Sequence, residues 1–183
     1  MIPELDPSGG GLLPPGRYRA TRAEVCQRFV DGRGEHRQLV WRDWESATSL
    51  LGRHVHVNAC WLYGRFLSDE PEPEVVSCVY WAEDLELSKA HLDPASANIL
   101  RAFAQRGTLR RVVGVRVDTS VVAWHCQPDT EVEDRYLPQY LERRGRVDDY
   151  LQRMRSGPMG SPPGREDALP RCGYVEVIVD DYQ

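Results

Sequence analysis

Tyr63-Gly64-Arg65-Phe66-Leu67-Ser68-Asp69-Glu70-Pro71-Glu72-Pro73-Glu74-Val75-Val76-Ser77-Cys78-Val79 joins two expected strands at the centre of the chain's pattern. Ahead of it, residues 54 to 62 alternate (His54, Val55, His56, Val57, Asn58, Ala59), the period-two pattern of a strand with one buried face. Val75 to Trp81 is almost wholly apolar and predicts a second, more buried strand. Between them stand a Gly-Arg turn and an acidic loop with two prolines, chemistry that belongs between elements and not inside one.

Outward from this pair, helices and strands alternate. Thr21 followed by Glu24 is a capping box that opens a short helix to about Phe29. Val40, Trp44, Ala47 and Leu51 form an apolar stripe on one helix face, with Gly52 where a C′ glycine belongs. Asp93-Pro94 is an N-cap followed by an N1 proline, starting a helix through Ile99, Leu100 and Phe103 that stops at Gly107. The valines from Arg111 to Asp118 predict a strand, with Val121 to Trp124 continuing it after a break. A helix is expected from Pro138 to about Arg155, weakened in its middle by Gly145, and a final strand from Tyr174 to Val179. Residues 1 to 20 are expected to be an extended arm anchored by Leu12 and Leu13. Residues 21 to 183 are then one α/β domain, a small mixed sheet flanked by helices, with a mobile loop at about 156–170.

Composition narrows the function classes. The chain has 183 residues, enough for one sizeable core, and a formal net charge of −5 without a basic run, which disfavours nucleic acid as a partner. No apolar stretch approaches the ~20 residues that span a bilayer, and no signal peptide opens the chain, so a cytoplasmic protein is expected. The five cysteines are irregularly spaced and odd in number, the pattern of free thiols in a reducing compartment.

The quoted ribbon also resembles the active-site ribbon of the nucleotidyltransferase superfamily. There a strand ends in a Gly-Ser turn that holds phosphate, and the next strand carries Asp-x-Asp. Gly11-Leu12-Leu13-Pro14-Pro15-Gly16 is similar to the opening of an uncharacterised bacterial family of nucleotidyltransferase-like proteins. The resemblance continues through Thr21-Arg22-Ala23-Glu24, Gly64-Arg65-Phe66, Ser68-Asp69-Glu70-Pro71-Glu72-Pro73 and Cys172-Gly173-Tyr174-Val175-Glu176-Val177, over roughly residues 11 to 180. It implies that Gly64 and Arg65 hold the turn position, that Val75 and Ser77 hold the Asp-x-Asp positions, and that Asp118 is the third acidic residue.

That substitution pattern speaks against transfer chemistry. Magnesium prefers hard oxygen ligands, and two-metal catalysis needs several carboxylates. Valine has no ligand atom and serine brings no charge. Arg65 is expected either to pair with Asp69, Glu70 or Glu72 or to bind an anion. Glu74, Glu83 and Asp84 are candidate substitute ligands if the chain still uses Mg²⁺ and a nucleoside triphosphate, with Asp118 as the fourth. Zinc is not supported by the spacing of His54, His56, Cys60 and His125-Cys126. Trp61 and Trp81 flank the ribbon, where they serve either core packing or a partner surface.

The leading expectation is therefore a catalytically degenerate nucleotidyltransferase-fold protein that binds a protein partner and needs no cofactor. An antitoxin, immunity-type or regulatory component of a bacterial defence module is the setting the resemblance implies. The alternatives are an active Mg-dependent nucleotidyltransferase and a structural subunit of a larger complex.

Overall fold

The computed structural model describes residues 1–7, 10–129, 131–132, 134–158 and 160–179. The elements run in the order β1 (Gly16–Ala20), α1 (Arg22–Phe29), α2 (Glu35–Gly52), β2 (Val57–Tyr63), β3 (Val76–Glu83), α3 (Asp84–Leu92), α4 (Pro94–Ala104), α5 (Thr108–Val113), β4 (Val117–Trp124), α6 (Leu137–Gln152) and β5 (Gly173–Ile178). The strands form one open mixed sheet ordered β1-β5-β2-β3-β4. β2 pairs antiparallel with both β3 and β5, while β1 lies parallel to β5 and β4 parallel to β3. The mixed α/β architecture is the one the alternating pattern predicts.

The two faces of the sheet are packed differently. Cys60, Leu62, Cys78, Tyr80, Val175 and Val177 point into the main core with the apolar sides of α1, α2 and α4. Alternate residues Ala59, Trp61, Val79, Trp81, Val122 and Tyr174 point the other way, under Leu151 and Val147 of α6. This is the period-two consequence of a sheet buried on both sides. Among the described residues, no helix is long and apolar enough to cross a membrane.

Local chemistry sets several boundaries as expected. Thr21 Oγ1 accepts from Glu24 N at 3.1 Å while Glu24 Oε2 accepts from Thr21 N at 2.8 Å, closing the capping box of α1. Asp93 accepts from Ser96 N at 2.8 Å ahead of the N1 proline of α4. Other boundaries differ from expectation. Val112 and Val113 lie on α5, exposed, because Gly107 and Gly114 bracket a single short helix with left-handed backbone at φ 75° and 80°. β4 therefore starts at Val117, and Asp118 stands at the beginning of a strand and not at its end. Gly52 is the last residue of α2, and Arg53 caps it in right-handed backbone. His54 and His56 precede β2. Residues 16–20 are not arm but an edge strand of the sheet, and α3 occupies a segment for which no helix is expected. In the 156–170 loop, the buried Asp167 carboxylate accepts from Ser156 N and Oγ, both at 2.7 Å, and from Gly164 N at 2.8 Å. Those bonds, led by the one to the Ser156 hydroxyl, hold its pKa below the usual range.

The motifs that carry the family resemblance fasten to one another. Asp69 N donates to Gly11 O at 3.1 Å, and a Cβ on Gly11, at φ +70°, would stand 2.2 Å from the Asp69 carboxylate. Gly173 N donates to Leu13 O at 2.9 Å, and a Cβ there would stand 2.3 Å from Pro14 O. Leu13 is buried as expected, and Leu12 is half-buried. Glycines at these places let backbone approach backbone or carboxylate.

The loop between β2 and β3 is held from beneath by Arg37, which is 1% exposed. Its Nε donates to Glu70 O at 3.0 Å, Nη1 to Phe29 O at 2.8 Å and Phe66 O at 2.9 Å, and Nη2 to Ser68 O at 2.8 Å and Glu70 O at 2.5 Å. All five guanidinium donors are thus spent on backbone carbonyls. Burial, with Arg33 nearby, lowers the Arg37 pKa to about 10, so it stays charged at neutral pH.

Candidate functional site

Tyr63, Ser77 and Asp118 fall in one cross-strand row, with Tyr63 opposite Ser77 on β2–β3 and Ser77 opposite Asp118 on β3–β4. Partners across a ladder point to the same face, so the three side chains share the α6 face of the sheet. Gly64 follows directly at φ 82° and ψ −157°, and a Cβ on it would lie 4.0 Å from Ser77 Cβ and Oγ. Gly64, Ser77 and Asp118, which the resemblance singles out, thus fall in one place. Val75, half-buried, precedes β3.

The electrostatics there are already balanced. Arg106, from the turn between α4 and α5, donates from Nε to Asp118 Oδ2 at 3.2 Å. Tyr150 of α6 meets the Tyr63 ring edge-on at 6.4 Å between centroids. Burial, reinforced by Tyr150, pushes the Tyr63 hydroxyl up to about 12, so it is a neutral phenol at any physiological pH. Arg65 does not point into the row: its side chain is 82% exposed and pairs with Glu70 at 3.0 Å. A neutral phenol, a serine and one aspartate neutralised by arginine make a hydrogen-bonding surface, not a cage for a divalent cation.

The substitute carboxylates do not converge on this row. Glu74 is exposed and pairs with Arg110 at 3.4 Å. Glu83 is six residues beyond Ser77 along β3, opposite Trp124, hence about 20 Å away at ~3.3 Å per residue. Asp84 is engaged at that far end, where His125 Nδ1 lies 2.6 Å from its Oδ2 and His125 Nε2 lies 3.1 Å from Asp134 Oδ2. The hydrogen bond to Asp84 raises the His125 pKa above 6.5, against the pull of burial and with Asp134 adding to the rise. Among the described residues, no three His, Cys, Asp or Glu side chains are grouped to hold a metal ion.

Trp61 and Trp81 give a correction. They are 1% and 3% exposed, with centroids 4.6 Å apart, and lie beneath α6. Arg144 of α6 stands over both rings, 5.4 Å and 5.7 Å from their centroids, and donates to Tyr140 Oη at 2.6 Å. Trp61 Nε1 donates to Glu176 at 3.0 Å, and Tyr174 donates to Asp148 of α6. The two indoles serve the packing of the helix and offer no face to a partner, because the β2 and β3 alternation turns them inward.

Sequence reasoning missed Arg37, Arg106, Arg144 and the Asp84–His125–Asp134 cluster. Arg37 had a signal: the α2 stripe extended one turn back from Val40 lands on it. The others had none, since their partners are remote in sequence.

The family described as "Family of unknown function (DUF6932)" matches residues 3–176, and the chain belongs to it. No curated protein and no solved structure matches the chain.

Proposed function

We propose that this DUF6932 chain is a nucleotidyltransferase-like protein without transfer chemistry that acts by binding a protein partner. One observation carries the reading: Asp118 stands in register with Ser77, where the resemblance puts two carboxylates, and Arg106 occupies Asp118 at 3.2 Å. A triphosphate with two Mg²⁺ needs opposing negative ligands, and this row supplies one, already neutralised. The β2–β3 hairpin with β4 parallel beside it supports the superfamily likeness. The setting of an antitoxin, immunity-type or regulatory component rests on the resemblance, since a fold hosts many functions.

Calorimetric titration with ATP and GTP, with and without Mg²⁺, tests this together with an assay for nucleotide transfer. The expected result is no metal-dependent triphosphate binding, no transfer, and no change with Asp118→Ala. Metal-dependent transfer by the wild-type protein, abolished by Asp118→Ala, overturns the reading in favour of an active Mg-dependent enzyme.

A further inference from the structure

The two edges of the sheet are not guarded alike. β1, at one edge, has five residues and carries Arg17 and Arg19, the short charged form that discourages added strands. β4, at the other, has eight residues, an unbroken register with β3, and an uncharged second half, Val121-Val122-Ala123-Trp124. No proline or glycine interrupts it.

That half of β4 opens into a cleft of about 720 Å³. Val121 and Ala123 line it from the strand, Leu87 and Leu100 from α3 and α4, and Arg101 and Arg143 from α4 and α6. The volume is in the range of ligand-binding clefts. Among the described residues neither Arg101 nor Arg143 has a carboxylate partner, and Arg101 bonds only to Asn98 Oδ1 at 2.7 Å. Asp84, the one carboxylate on the lining, is committed to His125. The cleft therefore combines the outer side of an edge strand, an apolar wall and two guanidiniums that meet no carboxylate among the described residues.

We propose that the open edge of β4 takes an extended acidic segment of a partner protein as a sixth strand. Main-chain hydrogen bonds to the edge supply affinity, and side-chain alternation supplies specificity. Apolar residues on one face of the added strand pack against Leu87 and Leu100, while carboxylates reach Arg101 and Arg143. A second copy offering the same edge brings the same two guanidiniums, and like charge disfavours that occupant. This inference rests on the protein-binding reading above for its class of partner, and it is independent of whether the Asp118 row is silent.

The test is selection from a displayed library of random octapeptides with the folded full chain as bait, followed by anisotropy titration of the enriched peptides. Enriched sequences should be rich in Asp or Glu and bind about tenfold or more weakly to Arg143→Glu and to Arg101→Glu. Hydrogen exchange should slow across residues 117–124 when such a peptide is added. An empty selection, sequences without acidic bias, binding by both variants as tight as by wild type, or protection of β4 through dimer formation would overturn the proposal. Nucleotide transfer by a protein that still selects acidic peptides sinks the silent-enzyme reading alone. An inert protein that selects none sinks this one alone.

Discussion

Two connections flank the central strands, and they are held by opposite chemistry. The β2–β3 loop is gripped by Arg37, a buried cation whose partners are all neutral carbonyls. The segment after β4 is held by His125, which lies partly buried between Asp84 and Asp134. The first grip keeps its charge at neutral pH; the second depends on an imidazole whose pKa its hydrogen bond to Asp84 raises. The loop bearing the resemblance motifs is thus built for permanence, and the one beside the open edge of β4 is conditional on protonation.

Removing Arg37 is the most damaging way to break this contrast. Arg37→Ala strands four carbonyl groups and should cost more than about 3 kcal/mol, or prevent folding. Arg37→Lys should recover a minority of that loss, because an ammonium has three donors and no fork. Urea denaturation of both variants checks the order. A loss of under about 1 kcal/mol for Arg37→Ala would show that the loop holds itself.

Gly11→Ala should cost about 1–3 kcal/mol, since it combines positive φ with a Cβ driven into Asp69. Asp69→Ala in the same background should return part of the loss in a double-mutant cycle. Additive effects of the two changes would place the strain elsewhere.

His125→Gln should act through pH and more weakly. The folded-state pKa is raised, so the stabilisation is complete below about 6.5 and is lost as pH rises through the folded value. Wild type should exceed His125→Gln in melting temperature at about pH 6, and the gap should close toward alkaline pH. A gap that widens with pH contradicts the assignment.

Arg106→Ala should change stability least, under about 1 kcal/mol, because the pair is partly exposed. It leaves Asp118 uncompensated. The informative measurement is Mn²⁺ binding by Arg106→Ala combined with Ser77→Asp, where two carboxylates would face each other across β3 and β4. Binding by that double variant but not by Ser77→Asp alone would identify Arg106 as the group that closes the row to metals.

Much of the fold was legible, because capping boxes, N1 prolines and period-two runs act over a few residues. The Thr21–Glu24 and Asp93–Pro94 signals placed α1 and α4, and the alternation around the Gly64 turn placed β2 and β3. Valine misled at 111–118: two flanking glycines outweighed β-propensity at Val112 and Val113. β1 was missed because Gly-Arg-Tyr-Arg-Ala becomes a strand only when β5 lies alongside. α3 was missed because Leu85 and Leu92 are exposed and its apolar pattern is faint. At the site, the row Tyr63–Ser77–Asp118 follows from residues the sequence had already singled out. Arg106 and the burial of Trp61 and Trp81 depend on tertiary placement that no local spacing encodes.

The place of β5 between β1 and β2 has a consequence for biosynthesis. The first strand made cannot find its neighbour until the last is made, more than 150 residues later in the chain. On the ribosome, β1 and the β2–β3–β4 unit emerge as two unjoined pieces, and the β2 edge stays bare until residues 173–178 clear the exit tunnel. Nascent chains arrested before that point expose an apolar strand edge, which makes them candidates for holdase chaperones and for aggregation. Emergence of residues 173–178, not translation of the middle of the chain, is the step that completes the sheet.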